Sequence, residues 1–103
     1  MVKAIESFDE WEDLIGGSQV VVLYYSLAGD GHNKLGLQVF SEFEEQFPQL
    51  KFAKVNVENQ KEIAEKAVIM RPPIYIAYKD GQATKSFRGP SPDELEESLQ
   101  SLL

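Results

Sequence analysis

The residues best suited to take part in catalysis or ligand binding lie in one short loop, residues 26–34. The loop holds the single histidine of the chain, His32, and an aspartate two residues before it, Asp30. An imidazole beside a carboxylate is a pair that general acid–base catalysis uses. The loop follows the most apolar run of the chain, residues 20–25, and precedes a long helical pattern, and open α/β folds bind ligands at such turns. One hypothesis is therefore a non-thiol enzyme in which His32 and Asp30 act as acid–base groups on a small substrate.

A second interpretation makes the same loop a site for a small anion or for glutathione. The N–H groups at the start of the following helix would face the anion. Arg71, which precedes a double proline, would supply a positive charge beside them. A metal site has less support, because one histidine and no cysteine are available as ligands. Neither a metal nor another cofactor is predicted.

A third interpretation gives the loop a purely structural role. Either Asp30 or Asn33 caps the following helix with its side chain. Gly29 and Gly31 supply the positive φ angles that a tight turn needs. His32 is then a solvated side chain with no chemistry.

The composition excludes several classes of protein. With no cysteine among 103 residues, the chain has no disulfide, no thiolate nucleophile and no thiolate metal site. Its 17 acidic and 10 basic residues give a net charge of −7, which disfavours nucleic acids and anionic membranes as partners. The chain has no apolar run of about 20 residues and no signal-peptide pattern. We expect a single cytoplasmic domain over residues 1–103.

Residue patterns predict the elements that position the loop. Apolar and β-branched runs predict strands, and apolar residues at helical spacing predict helices. Strands are predicted at residues 2–5, 19–25, 50–57, 74–78 and 83–87, and helices at 8–15, from about 33 to 47, at 60–67 and from 92 onward. This order predicts an α/β fold, with a mixed central sheet of about five strands and four helices on both of its faces.

Capping and turn residues mark several boundaries. Ser7 and Glu10 form a capping box at the start of the first helix. Asn59 is predicted to cap the short third helix. Asp80 and Gly81 predict a two-residue type I′ hairpin, because both central positions of that turn need positive φ angles.

The order and spacing of these elements resemble the thioredoxin family over nearly the whole chain. Residues 73–81 match its Pro-Thr, apolar run and Lys-x-Gly segment, and residues 52–58 match its F-x-x-V-D-V-D strand. Pro73 falls on the family's cis-proline, and Gly89 falls on its glycine before the last helix. The resemblance implies a thioredoxin fold with a cis bond between Pro72 and Pro73.

The redox residues of the family are missing from the matching positions. Its W-C-G-P-C motif falls on residues 28–33, where Ala28 replaces the tryptophan and no cysteine is present. Leu23 stands where the family has a buried aspartate. The resemblance therefore implies a thioredoxin-fold lineage that has left thiol chemistry.

The segment Arg71-Pro72-Pro73 is the second region of interest. In the family, the residue before the cis-proline offers its backbone N–H and C=O to an extended substrate, as an added strand. Pro72 has no N–H to offer. The preferred hypothesis is a redox-inactive protein-binding or scaffold module, with another protein as its partner. Its contact surface is a cleft formed by residues 29–33, residues 71–73 and the turn at residues 87–89.

Overall fold

The protein folds into one five-stranded sheet with helices on both faces. The computed structural model describes residues 2–27, 31–69, 72–88 and 92–103, with the backbone alone at residues 31–37 and 92. Its elements are β1 (Lys3–Ala4), α1 (Phe8–Ile15), β2 (Val21–Ser26), α2 (Gly31–Gln46), β3 (Lys51–Asn56), α3 (Lys61–Lys66), β4 (Ile74–Lys79), β5 (Gln82–Phe87) and α4 (Pro92–Gln100). This order of five strands and four helices is the one that the sequence predicted.

The sheet has the strand order β1-β3-β2-β4-β5. Strands β1 and β2 both run parallel to β3, while β4 runs antiparallel to β2 and β5 runs antiparallel to β4. The sheet is therefore mixed, as predicted. Strand β2 lies at its centre, so both of its edges are paired.

Two hydrophobic cores lie on opposite faces of the sheet. The first packs alternate residues of β2 against α2 and α4, and its members include Val22, Tyr24, Phe40, Phe43, Phe47, Leu95 and Leu99. The second packs the remaining β2 residues against α1 and α3, and its members include Val21, Leu23, Tyr25, Trp11, Ile15 and Ile63. A strand covered on both faces needs apolar residues at every position, which explains the unbroken apolar run of β2.

The predicted capping box and hairpin turn are both present. The Ser7 hydroxyl accepts a hydrogen bond of 3.1 Å from the Glu10 N–H, and the Glu10 carboxylate accepts one of 2.9 Å from the Glu6 N–H. In the hairpin, Asp80 has φ 53° and Gly81 has φ 84°, so both central residues are left-handed. A type I′ turn requires this conformation.

Two predictions of helix starts are wrong. Helix α2 begins at Gly31 rather than near Asn33, so Asn33 is its third residue and cannot be the cap. The N-cap residue of α3 is Gln60, and its side chain makes no capping hydrogen bond. Asn59 is instead held in the preceding turn, where the Asn56 side chain accepts hydrogen bonds from the N–H groups of Glu58 and Asn59. Asn56 thus organises the turn before α3.

Helix α3 ends in a strained turn. The Ile69 N–H donates to the Ala64 carbonyl, and the Val68 N–H donates to the Glu65 carbonyl, which is the hydrogen-bond pattern of a Schellman motif. That motif places Val68 in the left-handed region, with φ 56°. Glycine usually occupies this position, and a β-branched residue there is an outlier. Val68 is also 70% exposed, so burial of its side chain does not offset the steric cost of the left-handed backbone.

Candidate functional site

The sheet topology brings several predicted site segments to one end of the molecule. Strands β2 and β3 end side by side, with Ser26 in register with Asn56. Strand β4 starts at the same end, because Ile74 is in register with Tyr25. Helix α2 begins five residues after β2 ends. The start of α2 and the double proline before β4 therefore belong to the same end of the sheet.

The double proline is described in full. The peptide bond between Pro72 and Pro73 is cis, as the resemblance implied. Both prolines are half-buried. Pro72 carries no N–H, so it offers a bound segment only its carbonyl oxygen. Arg71, expected to add a positive charge here, lies outside the described residues.

The loop before α2 is described only from Gly31 onward. Gly29 and Asp30 lie outside the described residues, and Gly31, His32 and Asn33 are described by their backbone alone. Gly31 is the first residue of the helix, so it belongs to the helix rather than to the turn. The acid–base hypothesis and the anion hypothesis both depend on side chains in this segment. Both therefore stay predictions.

The rest of this end of the sheet is mixed in polarity where it is described, because the exposed Arg88 follows Phe87 directly. Leu27, directly after β2, is 37% exposed and is one of three exposed large apolar residues in the described part of the chain. Phe87, at the end of β5, is half-buried and packs against the core between the sheet and α2 and α4. Gly89, in the predicted third segment of the cleft, lies outside the described residues. The described border of the site thus combines apolar side chains with one charged side chain, that of Arg88.

A buried polar cluster on the other side of β2 was not predicted. The Tyr25 hydroxyl lies 2.6 Å from the Tyr78 hydroxyl and accepts a 3.0 Å hydrogen bond from the Trp11 indole N–H. Burial raises the pKa of the Tyr25 hydroxyl far above its usual range, and burial also raises that of Tyr78. Tyr25 is fully buried. Its polar partners are distant in the sequence, which left no local signal.

Tyr24 and Tyr75 form a matching aromatic pair on the opposite face. Their ring centroids are 4.6 Å apart and the rings are stacked at 25°. Both rings are buried in the core under α2 and α4. Burial raises the pKa of the Tyr75 hydroxyl above its usual range. These tyrosines serve packing rather than providing an open stacking surface.

A groove opens on the α1 and α3 face, away from the predicted cleft. It has a volume of about 380 Å³ and lies between the ends of α1 and α3 and the β4–β5 hairpin. We call it the hairpin groove. Trp11, Tyr78 and Ala83 line it, with Glu12 and Lys66 also on its walls. Sequence analysis missed it, because its lining comes from three elements that are far apart along the chain.

The described part of the chain shows neither a metal site nor a membrane-spanning helix. Among those residues, no group of three or more His, Cys, Asp or Glu side chains is placed to hold a metal ion. No helix of the described segments has both the length and the apolar character that crossing a bilayer requires.

Comparison with known proteins places the chain beside thioredoxins. The thioredoxin family model matches residues 3–101. The thioredoxin of Coprinus comatus is 30% identical over 105 aligned positions, which cover 100% of this chain and 99% of that protein. The thioredoxin of Oryctolagus cuniculus is also 30% identical, with 100% of both chains covered.

Solved structures agree with this grouping. The crystal structure of thioredoxin from Malassezia sympodialis matches with a TM-score of 0.91 at 27% identity, covering 98% of this chain and 90% of that one. The solution structure of oxidised thioredoxin from Plasmodium falciparum matches with a TM-score of 0.92 at 22% identity, covering 99% of this chain and 98% of that one. The second likeness shows the fold alone, which is the fold predicted from the sequence.

Proposed function

Since this chain belongs to the thioredoxin family and has no cysteine, we propose that it is a redox-inactive member that binds another protein. Thiol–disulfide exchange proceeds by attack of a thiolate and through a mixed disulfide, and both need a cysteine sulfur. The family fold extends over residues 3–101 in spite of this loss. The single observation that carries the proposal is a whole family fold without the atoms of the family chemistry.

The cleft beside Pro72 and Pro73 is the proposed contact surface. Pro72 and Pro73 are half-buried, so part of each residue is exposed to a partner at this end of the sheet. Leu27 adds an exposed apolar side chain at the same end. Because Pro72 lacks an N–H, a bound segment gains no hydrogen-bond donor at that position. The cleft therefore favours a partner held by apolar contacts and by the Pro72 carbonyl, and the module serves as a scaffold.

Two variants test this function against a matched control. The first replaces residues 28–33 with a glycine–serine loop of equal length, and the second is Leu27→Asp. The control is Lys51→Asp, at the opposite end of the sheet, where β3 begins. Each protein is used to capture partners from a lysate of the source organism, and the captured partner is then purified for direct titration. Circular dichroism and urea unfolding verify that each variant folds.

We expect the control to bind the purified partner as the unmodified protein does, and both cleft variants to lose that binding. Equal affinity in all four proteins would contradict the proposed contact surface.

The remaining expectations stay predictions: a cytoplasmic location, no nucleic-acid or membrane partner, and no cofactor. The alternative functions, with His32 and Asp30 in catalysis or with an anion or glutathione at the start of α2, also stay predictions.

A further inference from the structure

The two edges of the sheet differ in length and exposure. Strand β1 forms one edge with only two residues, whereas β5 forms the other with six. Five of the six β5 residues are exposed and the sixth is half-buried. Natural sheets protect long edges with prolines, lysines, β-bulges, inward-pointing charges or covering elements, and β5 has one lysine and one bulge. Strand β5 contains no proline, and its exposure shows that nothing in the described chain covers it.

The pairing pattern shows which backbone groups of β5 point outward. Lys79 and Gln82 close a two-residue hairpin, and such a closing pair is hydrogen-bonded. Hydrogen-bonded and open pairs alternate along an antiparallel ladder, so the next pair, Tyr78 with Ala83, is open. The N–H and C=O of Ala83 therefore point away from β4.

A second outward-facing residue lies beyond a bulge in β5. Tyr78 is in register with Ala83 and Ala77 with Lys85, which leaves Thr84 as an extra residue. Past the bulge, Ser86 is in register with Ile76. The backbone N–H and C=O groups of Ile76 point toward β2, as those of Tyr78 do. The backbone groups of Ser86 thus also point outward. Within the described segments, no element accepts hydrogen bonds from the Ala83 and Ser86 N–H groups.

The β4–β5 hairpin is the basic part of an acidic protein. Residues 79–88 contain three basic residues and one acidic residue, a net charge of +2, so the rest of the chain carries −9 to give the total of −7. Lys79 and Lys85 are both exposed. The Lys85 ammonium donates to the Ser101 hydroxyl, which is a neutral partner. Neither lysine forms an ion pair within the described ranges.

The two faces of β5 offer different surroundings to an added strand. Lys85 is in register with Ala77, which belongs to the core under α2 and α4, so Lys85 lies on that face. Ala83 lies on the other face and lines the hairpin groove with Tyr78. The small Ala83 side chain leaves room for a neighbouring apolar side chain to lean over it. Glu12 and Lys66 both lie on the groove wall, so the groove carries one charge of each sign, and its remaining lining is mainly apolar.

We propose that β5 is a strand-addition site for an extended acidic segment of another protein, which pairs with Ala83 and Ser86. Acidic side chains of the segment face Lys85, and its apolar side chains alternate with them and face the hairpin groove. Main-chain hydrogen bonds supply affinity in this mode of recognition, and the alternate side chains supply specificity. This inference does not depend on the cleft beside Pro73.

The test uses a short capped peptide of alternating valine and glutamate, titrated into the isotope-labelled full chain and followed by amide NMR. Two peptides serve as controls: one replaces each glutamate with lysine, and the other carries N-methyl groups on alternate residues to block pairing. Two variants change the net charge equally. Lys85→Glu lies on β5, and Lys51→Glu lies on β3, which β2 and β4 separate from β5.

We expect saturable shifts at the amides of β5 and slower amide exchange at Ala83 and Ser86. Lys85→Glu should weaken binding about two- to fivefold, the range of an exposed ion pair, whereas Lys51→Glu should leave it unchanged. The lysine peptide should bind more weakly, and the N-methylated peptide should not bind.

Four outcomes would overturn the inference. They are no saturable binding, equal binding of the acidic and basic peptides, shifts centred on Leu27 and Ile74, and β5 shifts that grow with protein concentration without peptide. The third outcome would assign the peptide to the cleft of the proposed function. The fourth would assign the edge to a second copy of this chain.

Discussion

The hydroxyl oxygens of Tyr25 and Tyr78 meet at 2.6 Å inside the core between the sheet and α1, although the two residues are 53 positions apart in the sequence. Tyr25 also accepts a hydrogen bond from the Trp11 indole N–H. Tyr25 is therefore the centre of a cluster that joins α1, β2 and β4. Buried polar groups are costly when they lose their partners, so this cluster makes the packing of α1 specific.

The cluster predicts unequal effects of two conservative substitutions. Tyr25→Phe leaves the Trp11 N–H and the Tyr78 hydroxyl without their partner, and we expect a loss of about 2–3 kcal/mol in the free energy of unfolding. Tyr78→Phe leaves the bond between Trp11 and Tyr25 in place, so we expect a loss of about 1 kcal/mol. Urea unfolding measures both. In the double variant the losses should not add, because the two hydroxyls share one bond. Equal losses in the two single variants would contradict the central position of Tyr25.

The buried tyrosines predict a loss of stability in alkali. Burial raises the pKa values of Tyr25, Tyr75 and Tyr78 in the folded state. Below the unfolded pKa of about 10, all three are protonated in both states and their contribution is complete. Above it, the unfolded chain releases protons that the folded protein retains, so the free energy of unfolding falls as the pH rises. Urea midpoints across the alkaline range should show this fall, and it should be shallower in Tyr75→Phe. An unchanged slope in that variant would contradict the prediction.

The left-handed backbone at Val68 predicts a stabilising substitution. Val68→Gly removes the steric cost of a β-branched residue at φ 56°, and little burial is lost because the side chain is 70% exposed. We expect a gain of about 1 kcal/mol in thermal or urea unfolding. Val68→Ala keeps a Cβ in the same conformation and serves as the control, with a smaller gain. A destabilised glycine variant would show that the Val68 side chain makes a contact that offsets the strain of its backbone.

The ion pair at the start of α1 predicts a small loss of stability in acid. The Glu10 carboxylate accepts from the Glu6 N–H and lies 3.1 Å from the Lys3 ammonium, and these contacts, the backbone bond first, lower its pKa. A lowered folded pKa stabilises the protein above the unfolded pKa, and this stabilisation is lost as the pH falls through the folded pKa. Glu10→Gln should therefore flatten the acid limb of the stability profile. Lys3→Gln should flatten it less, because the backbone bond remains.

The lack of cysteine predicts no oxidoreductase activity. In an insulin reduction assay with dithiothreitol, the protein should give the same rate as buffer, because its own chain has no sulfur to form a mixed disulfide. A cysteine-containing thioredoxin is the positive control. Acceleration by this protein would contradict the redox-inactive proposal.

Local sequence signals determined most of the fold. The apolar run of residues 20–25 predicted a strand covered on both faces, and β2 is buried at all six of its positions. Asp80 and Gly81 predicted the hairpin, since positive φ angles restrict the residues that a type I′ turn accepts. The start of α2 could not be placed to the residue, because Asp30 and Asn33 were both candidate caps and the glycines between β2 and α2 fit either a turn or a helix. The missing thiol chemistry also followed from the sequence alone, because a reaction that needs a sulfur atom is excluded by composition.

Only the tertiary structure decided which side chains meet across the fold. The pairing of Tyr25 with Tyr78 and Trp11 depends on the register between β2 and β4 and on the packing of α1, and no local pattern encodes those distances. The Asp80-Gly81 turn predicted that β5 pairs with β4, and the strand order shows that β5 has no second neighbour among the described strands. Backbone preferences and the spacing of apolar residues are local properties of the chain, so the sequence alone predicts the elements that they form. Contacts between distant residues follow from the packing of the whole domain, and those contacts create the hairpin groove and the basic edge of this acidic protein.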